Sequence, residues 1–312
     1  MTPDDLPRVL VAWNQVLVHD QLTEDRFRHV MLGDPNYEPE GVVIAEGPHR
    51  EVLGLSASVL RRDVLGKDGG GTEWQFRRGF LKAFFVTEGE HAGEAADALL
   101  AAAEAYCRQA GKQELTVTIY TGPYVFPGVD LRYDRIYRLL VARGCRDVQT
   151  IESVAVDLRD PAHEARLAAV QRRLGPEVEV LTWHPKLLPQ MTKFVAEGDM
   201  REWFPVGWEK RYAEPNELTL ILQRDGEILG WARYHPGRPR AGFGPILVLE
   251  RERSKGYGLR LLLECMIRSR DAGSESMYAG WANTGFYIAA GWHIIERHAV
   301  LKKDLPAMEE AR

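Results

Sequence analysis

Residues 251–263 read RERSKGYGLRLLL. The stretch opens with charge, passes through Gly256 and Gly258, and ends in leucines. Just upstream, FGPILVL (243–249) is a short apolar run and predicts a buried strand. Downstream, SKGYGLRLLLECMIRSRDAG (254–273) has helical apolar spacing and stops near Gly273. A strand therefore enters a glycine turn and leaves as a helix. The first amides of a helix have no intrahelical partner. The helix dipole adds partial positive charge there, and the two together favour an anion such as pyrophosphate. Gly256 and Gly258 carry no Cβ to block the approach. Arg253 and Lys255 bring cations to the mouth. Taken alone, these residues also fit an ordinary strand-to-helix turn. A P-loop is excluded because no G-x-x-x-x-G-K-[ST] occurs. A dinucleotide fold is excluded for want of G-x-G-x-x-G.

The same alternation extends outward. In the second half VEVLTW (178–183) predicts a strand and HPKLLPQMTKFVAEG (184–198) a helix. ELTLILQRDGEILGWARYHP (217–236) predicts a hairpin turning at Asp225-Gly226. After the long helix come a strand (SESMYAGW), a short helix (NTGFYIAAG) and a last strand (WHIIERHAVLKKDL). The first half has the same order. It runs from an Asp/Pro-led helix (3–17), through a helix capped by Thr23 and a hairpin in 40–62, to the strand GFLKAFFV. The helix 90–111, the strand QELTVTIY, the helix 131–144 and the strand ESVAVDL complete it.

Matched positions lie 182 (Pro7 and Pro189), 176 (Gly54 and Gly230), 163 (Gly93 and Gly256) and 147 (Gly144 and Gly291) residues apart. The shrinking offset means longer loops in the first half, and the repeated order means one α/β unit used twice. The expected division is an N-terminal domain 1–158, a linker helix 159–177 and a C-terminal domain 178–312. The first half starts at the point matching HPKLLP, so it is expected to lack the opening strand.

Composition narrows the class. A chain of 312 residues suits two domains of about 150 residues each. With 45% apolar and 27% charged residues, it reads as an ordinary globular protein. A net charge of −5 gives no global sign of nucleic-acid binding. No apolar run reaches the roughly 18 residues of a membrane span. Cys107, Cys145 and Cys265 are scattered, which points to buried thiols in a reducing cytoplasm and to neither a disulfide framework nor a metal site.

With these elements in order, the sequence resembles the GNAT superfamily of N-acyltransferases. The resemblance rests on Arg253-Ser-Lys-Gly256-Tyr-Gly258 after ILVL, and on Asn283-Thr-Gly-Phe-Tyr287-Ile-Ala-Ala-Gly291-Trp292. It covers 178–305 well and 1–158 more loosely, and the tandem layout is similar to mycothiol synthase-like members. It implies two tandem GNAT-like units, each a mixed, mostly antiparallel sheet flanked by helices. It also implies acetyl-CoA, or another acyl-CoA, as co-substrate, with no metal. Ile246, Leu247 and Val248 would bond the pantetheine arm, and that strand would splay from Met277–Trp281. Amides from Arg253 through Ser254, Lys255, Gly256, Tyr257 and Gly258 to Leu259 would hold the pyrophosphate, and Asn283 would contact the arm. Tyr287 would be the general acid and the Val248 N–H would meet the oxyanion. The base is left open between Glu250, His235 and a water chain.

In the first half Glu90 and Glu94 flank Gly93, and carboxylates repel a pyrophosphate. Leu140 stands where the second half has Tyr287. That half is expected to be catalytically silent, closing the substrate cleft as a second subunit does in dimeric members, so the chain would act as a monomeric pseudo-dimer or a homodimer. Trp203, Phe204, Trp208 and Tyr212 are expected to line the acceptor pocket, and the loop GKDGGGTEWQFRRG (66–79) could reach over it. The reading is acetyl transfer to a primary amine of a small molecule, with no nucleic-acid or membrane partner. The alternative is a non-catalytic acyl-CoA-binding or scaffold protein.

Overall fold

The computed structural model describes residues 1, 3–61, 76–198, 203–204 and 207–306. Most of the expected glycine-rich loop 66–79, and residues 199–202 and 205–206 of the expected acceptor region, lie outside the described residues. Two compact units emerge: Met1–Ile151 with Arg297–Arg312, and Glu152–Glu296.

In the first unit α1 (Leu6–Val16) and the short α2 (Glu24–Phe27) precede the hairpin β1 (Val42–Glu46) and β2 (Val52–Val59). Thr23 caps α2 as its sequence predicts, accepting from the Arg26 amide at 3.2 Å. β3 (Arg78–Val86), α3 (Ala92–Gln109), β4 (Glu114–Val117), β5 (Val129–Asp130) and α4 (Asp134–Ala142) follow. The strand order is β1–β2–β3–β4–β12, with β5 also on β12. Trp13 anchors this core, stacking on Phe126 at 5.8 Å and meeting Phe27 and Phe85 edge-on. Among the described residues no strand precedes α1.

The second unit takes the end of β6 (Arg146–Asp157), then α5 (Ala162–Leu174), β7 (Val178–Trp183), α6 (Leu188–Glu197) and α7 (Trp208–Arg211). The hairpin β8 (Asn216–Arg224) and β9 (Glu227–His235) turns at Asp225 and Gly226, whose φ values are 52° and 77°. Two positive φ angles are what a two-residue hairpin turn needs. Then come β10 (Arg240–Val248), α8 (Tyr257–Asp271), β11 (Ser276–Ala282), α9 (Thr284–Ala289) and the start of β12 (His293–Asp304). The strand order is β6–β11–β10–β9–β8–β7. Leu261, Leu262, Leu263, Cys265 and Met266 of α8 are all buried in its core.

In each unit one strand pair runs parallel. Arg78, Gly79 and Phe80 pair with Glu114, Leu115 and Thr116. Arg240, Ala241 and Gly242 pair with Ser276, Met277 and Tyr278, each 162 residues further on. In the first unit β1–β2, β2–β3 and β4–β12 pair antiparallel. In the second β6–β11, β7–β8, β8–β9 and β9–β10 do the same. Each unit is therefore a mixed, mostly antiparallel sheet flanked by helices. The unit boundary falls inside β6, upstream of the helix that the sequence marks as the linker. That helix, α5, lies within the second unit and packs along α8.

Candidate active site

The site begins with a strand that leaves its neighbour. Parallel pairing of β10 with β11 stops at Gly242 and Tyr278, although the strands run on to Val248 and Ala282. Against β9 the register of β10 shifts between Phe243 and Ile246. Gly244, at φ 118°, sits in that bulge, a conformation glycine alone adopts without strain. A bulge bends its strand and re-aims the residues beyond it. On the other side Ile246, Leu247 and Val248 stay paired with Ala232, Trp231 and Gly230. The Leu249 amide donates to the Leu229 carbonyl at 3.0 Å. Main-chain groups alternate edges along a strand, so those of Val248 face the edge that β11 has left. The Val248 carbonyl there accepts from Arg253 Nε at 3.3 Å.

The chain then turns through Glu250–Glu252 and reaches Gly256, which caps α8 at φ 101°. The first bond of the helix is Arg260 N to Gly256 O at 3.0 Å. The amides of Tyr257, Gly258 and Leu259 precede that ladder. Gly258 lets the helix start pack closely, since a Cβ there would stand 3.2 Å from the Phe286 ring and the ring would have to give by a few tenths of an ångström. The Tyr257 ring is buried, and its hydroxyl accepts from Arg224 at 2.8 Å, tying the helix start to the end of β8.

The charges sort unevenly. Lys255 is paired with the buried Glu252 at 2.9 Å. Lys255 first, then Arg224 and Arg251, hold the Glu252 carboxyl below the usual carboxylate range. Ser254 is exposed at φ 64°, and Arg253 is exposed beside it.

Asn283 is the N-cap of α9, with its side chain exposed. Tyr287 is buried on that helix, 6.1 Å from the Phe243 ring and 5.1 Å from Phe286 and Trp292. Of the expected base candidates, Glu250 is exposed in the turn. His235 is exposed at the end of β9, directly across from Gly242.

The four aromatics divide. Phe204, Trp208 and Tyr212 pack on one another and on Trp231 and Trp183, and all three are buried. Trp203 alone is exposed, its ring 6.0 Å from Trp281 at the end of β11. Trp281 was visible only as one more apolar strand residue. Its φ of 52° and its partner across from β11 had no sequence signal. Tyr278, level with Gly242, brings its hydroxyl within 3.1 Å of Ser153 Oγ and 3.4 Å of Glu296 Oε2.

The first unit follows the same plan with different contents. Its strand-to-helix connection is residues 87–91, against 249–256 in the second unit. Sequence matching sets Gly93 against Gly256, but Gly93 lies in the first turn of α3, whereas Gly256 precedes α8. The bulged residue of β3 is Lys82, between the Ala83–Ala57 and Leu81–Ser58 pairs. Its ammonium is buried against Asp34 and the Val30 carbonyl. Below the strand edge a cavity of about 30 Å³ is lined by Lys82, Thr118, Phe126 and Leu140. That volume suits a water, not an acyl arm.

Residues 180–291 match the acetyltransferase (GNAT) family model. This segment is a GNAT acetyltransferase domain. The match spans the splayed strands, the loop and α9, and leaves α5 outside. No curated protein matches the chain. Many solved structures share its fold, three of them as follows. One is a GCN5-related N-acetyltransferase from Sphaerobacter thermophilus (TM-score 0.66, 16% identity, 99% of this chain and 96% of that one). Another is a tandem GNAT protein from the clavulanic acid biosynthesis pathway (0.63, 12% identity, 97% of each chain). The third is a fungal multi-domain GH3 β-N-acetylglucosaminidase with a GCN5-related glucosamine N-acetyltransferase region (0.70, 13% identity). This chain spans 96% of its own length in that last match, and 37% of the fungal chain. The chain thus has the tandem GNAT fold, with its GNAT domain in the second half. None of the described helices is long and apolar enough to cross a membrane.

Proposed function

We propose that the second unit transfers an acyl group, most readily acetyl from acetyl-CoA, to a primary amine of a small molecule. The observation that carries this is the parting of β10 from β11 directly upstream of a glycine-capped helix. Pantetheine amides would bond the open edge of β10 at Ile246–Val248, and Asn283 would meet the arm from α9. The amides from Arg253 to Leu259 would take the diphosphate, with the dipole of α8 favouring its charge. Arg253 would turn from the Val248 carbonyl toward it.

Both reactants held in one cleft replace a bimolecular encounter with a positioned one. The amine nitrogen attacks the thioester carbon and the C–N bond forms. The oxyanion is met by the Val248 N–H, which faces the open edge. As the C–S bond breaks, Tyr287 protonates the leaving thiolate. The proton on the attacking nitrogen leaves to a base. His235 is better set for this than Glu250, because only Gly242 separates it from the Tyr278 row where the strands part. Trp203 and Trp281 would form the apolar wall for the acceptor. Phe204, Trp208 and Tyr212 would support that wall from the core.

The test is release of free CoA from acetyl-CoA with a panel of primary amines. Amine-dependent release supports the transferase reading. Tight acetyl-CoA binding with no turnover for any amine favours the non-catalytic acyl-CoA-binding alternative.

A further inference from the structure

We infer that Arg173, in the last turn of α5, is a phosphate-binding residue of the acyl-CoA site. The inference rests on the acyl-CoA reading of the second unit. It adds a residue from outside the segment that matches the family model, since α5 ends before residue 180.

Helix α5 runs along α8 and stops at Leu174, with Gly175 next at φ 84°. This leaves the Arg173 guanidinium directly over the N-cap of α8. A Cβ built on Gly256 would stand 2.1 Å from Arg173 Nη2. Glycine is required at 256 for its φ of 101°, and the guanidinium lies in the space a Cβ would take. The neighbouring cations mostly have carboxylate partners. Lys255 has Glu252, Arg251 has Glu197 and Glu227, Arg260 has Glu264, and Arg270 has Glu164. Arg173 is exposed and makes no ion pair among the described residues.

A guanidinium set beside the positive end of a helix, with Arg253 in the same loop, gathers like charge, and among the described residues neither guanidinium has a carboxylate partner. An anion relieves that arrangement. The planar fork of arginine matches two phosphate oxygens at once. Amides at the helix start would hold the diphosphate from one side while Arg173 closes on a phosphate from the other. That phosphate belongs either to the diphosphate or to the ribose 3′ position of CoA, and the chemistry is the same.

The experiment compares the full-length wild type with Arg173→Gln and Arg173→Lys. Calorimetric Kd values are measured for acetyl-CoA and acetyl-dephospho-CoA, at low and at high salt. The expected result is a roughly tenfold weaker Kd for Arg173→Gln at low salt, equivalent to about 1.4 kcal/mol. Arg173→Lys should fall between the two. The ratio should shrink in high salt, because an exposed charge is screened. Equal weakening for both donors assigns the contact to the diphosphate. Weakening confined to acetyl-CoA assigns it to the 3′-phosphate, and either supports the inference. An unchanged Kd, or a loss that salt does not reduce, overturns it and leaves the acyl-CoA reading standing. A wild type that binds neither donor removes the acyl-CoA reading and this inference together.

Discussion

In the first unit Arg135 donates through Nη1 to the Val86 carbonyl and through Nη2 to the Thr87 carbonyl, each at 2.8 Å. Val86 pairs with Gly54 as Val248 pairs with Gly230. The Thr87 amide bonds Leu53 as the Leu249 amide bonds Leu229. The Val86 carbonyl thus accepts from Arg135 as the Val248 carbonyl accepts from Arg253, and Arg135 holds the next carbonyl as well. With a shorter loop and the exposed Glu90 and Glu94 beside it, the first unit is expected to be a poor host for a diphosphate. A calorimetric titration with acetyl-CoA should give one site per chain. Two sites would show that Arg135 yields to the donor.

Gly256 carries the second prediction. Gly256→Glu forces a side chain into left-handed backbone, at about 1–2 kcal/mol, and sets a carboxylate against Arg173. Acetyl-CoA affinity should fall at least about 100-fold, equivalent to about 2.7 kcal/mol. The melting temperature should drop by only a few degrees, given about 2–4 °C per kcal/mol for a domain of this size. Retained affinity would mean that the diphosphate is held elsewhere.

Tyr287→Phe separates packing from acid chemistry. The ring sits among Phe243, Phe286 and Trp292, and phenylalanine keeps those contacts. Loss of the hydroxyl should lower kcat by about 100-fold or more, the usual scale for a general acid, with acetyl-CoA Kd unchanged. Turnover at the wild-type rate would leave Tyr287 a core aromatic and no more.

The fold was legible because its periodicities are local. Alternation in β7–β9, the Asp225-Gly226 turn and the helical spacing after Gly256 each lie within one short window. The register also repeats between units, which a sequence of shrinking offsets could hint at. The partners across the site were not legible. Nothing in the run RRLG at 172–175 says that Arg173 will lie over Gly256. Nothing in GWANTG says that Trp281 will meet Trp203. Aromatic content alone could not tell Phe204, Trp208 and Tyr212 from lining residues, because burial is decided by the helices packed over them. The match of Gly93 with Gly256 failed for a related reason: two helices of similar composition start at different points relative to their strands.

The three cysteines should resist thiol reagents. All are free and buried. Burial pushes the Cys107 thiol up to about 12 and Cys145 to about 11, and it raises Cys265 as well. Only the thiolate reacts appreciably, so at pH 8 the native chain should show almost no reaction with an aromatic disulfide reagent. Three equivalents should appear in denaturant. Rapid native labelling would contradict the packing of α3 and α8.

The buried pair in the first unit gives the last prediction. Lys82 and Asp34 are both closed off from water. Burial lowers the Lys82 pKa, and Asp34 opposes that shift. Tyr120 donates to Asp34 Oδ1 at 2.7 Å, and Asn36 Nδ2 donates to the Tyr120 oxygen at 2.9 Å. Removing one partner of such a pair leaves the other charge uncompensated, at about 3–5 kcal/mol. Asp34→Ala should therefore destabilise the chain by that amount in denaturant unfolding. Lysine held neutral would lessen the cost, so the variant should recover part of it as pH rises through the lowered Lys82 range toward 10.5. The sign follows because the unfolded lysine binds its proton more tightly than the folded one, and stability then grows with pH across that window. A loss below about 1 kcal/mol would mean that water reaches Lys82 and the pair is not sealed.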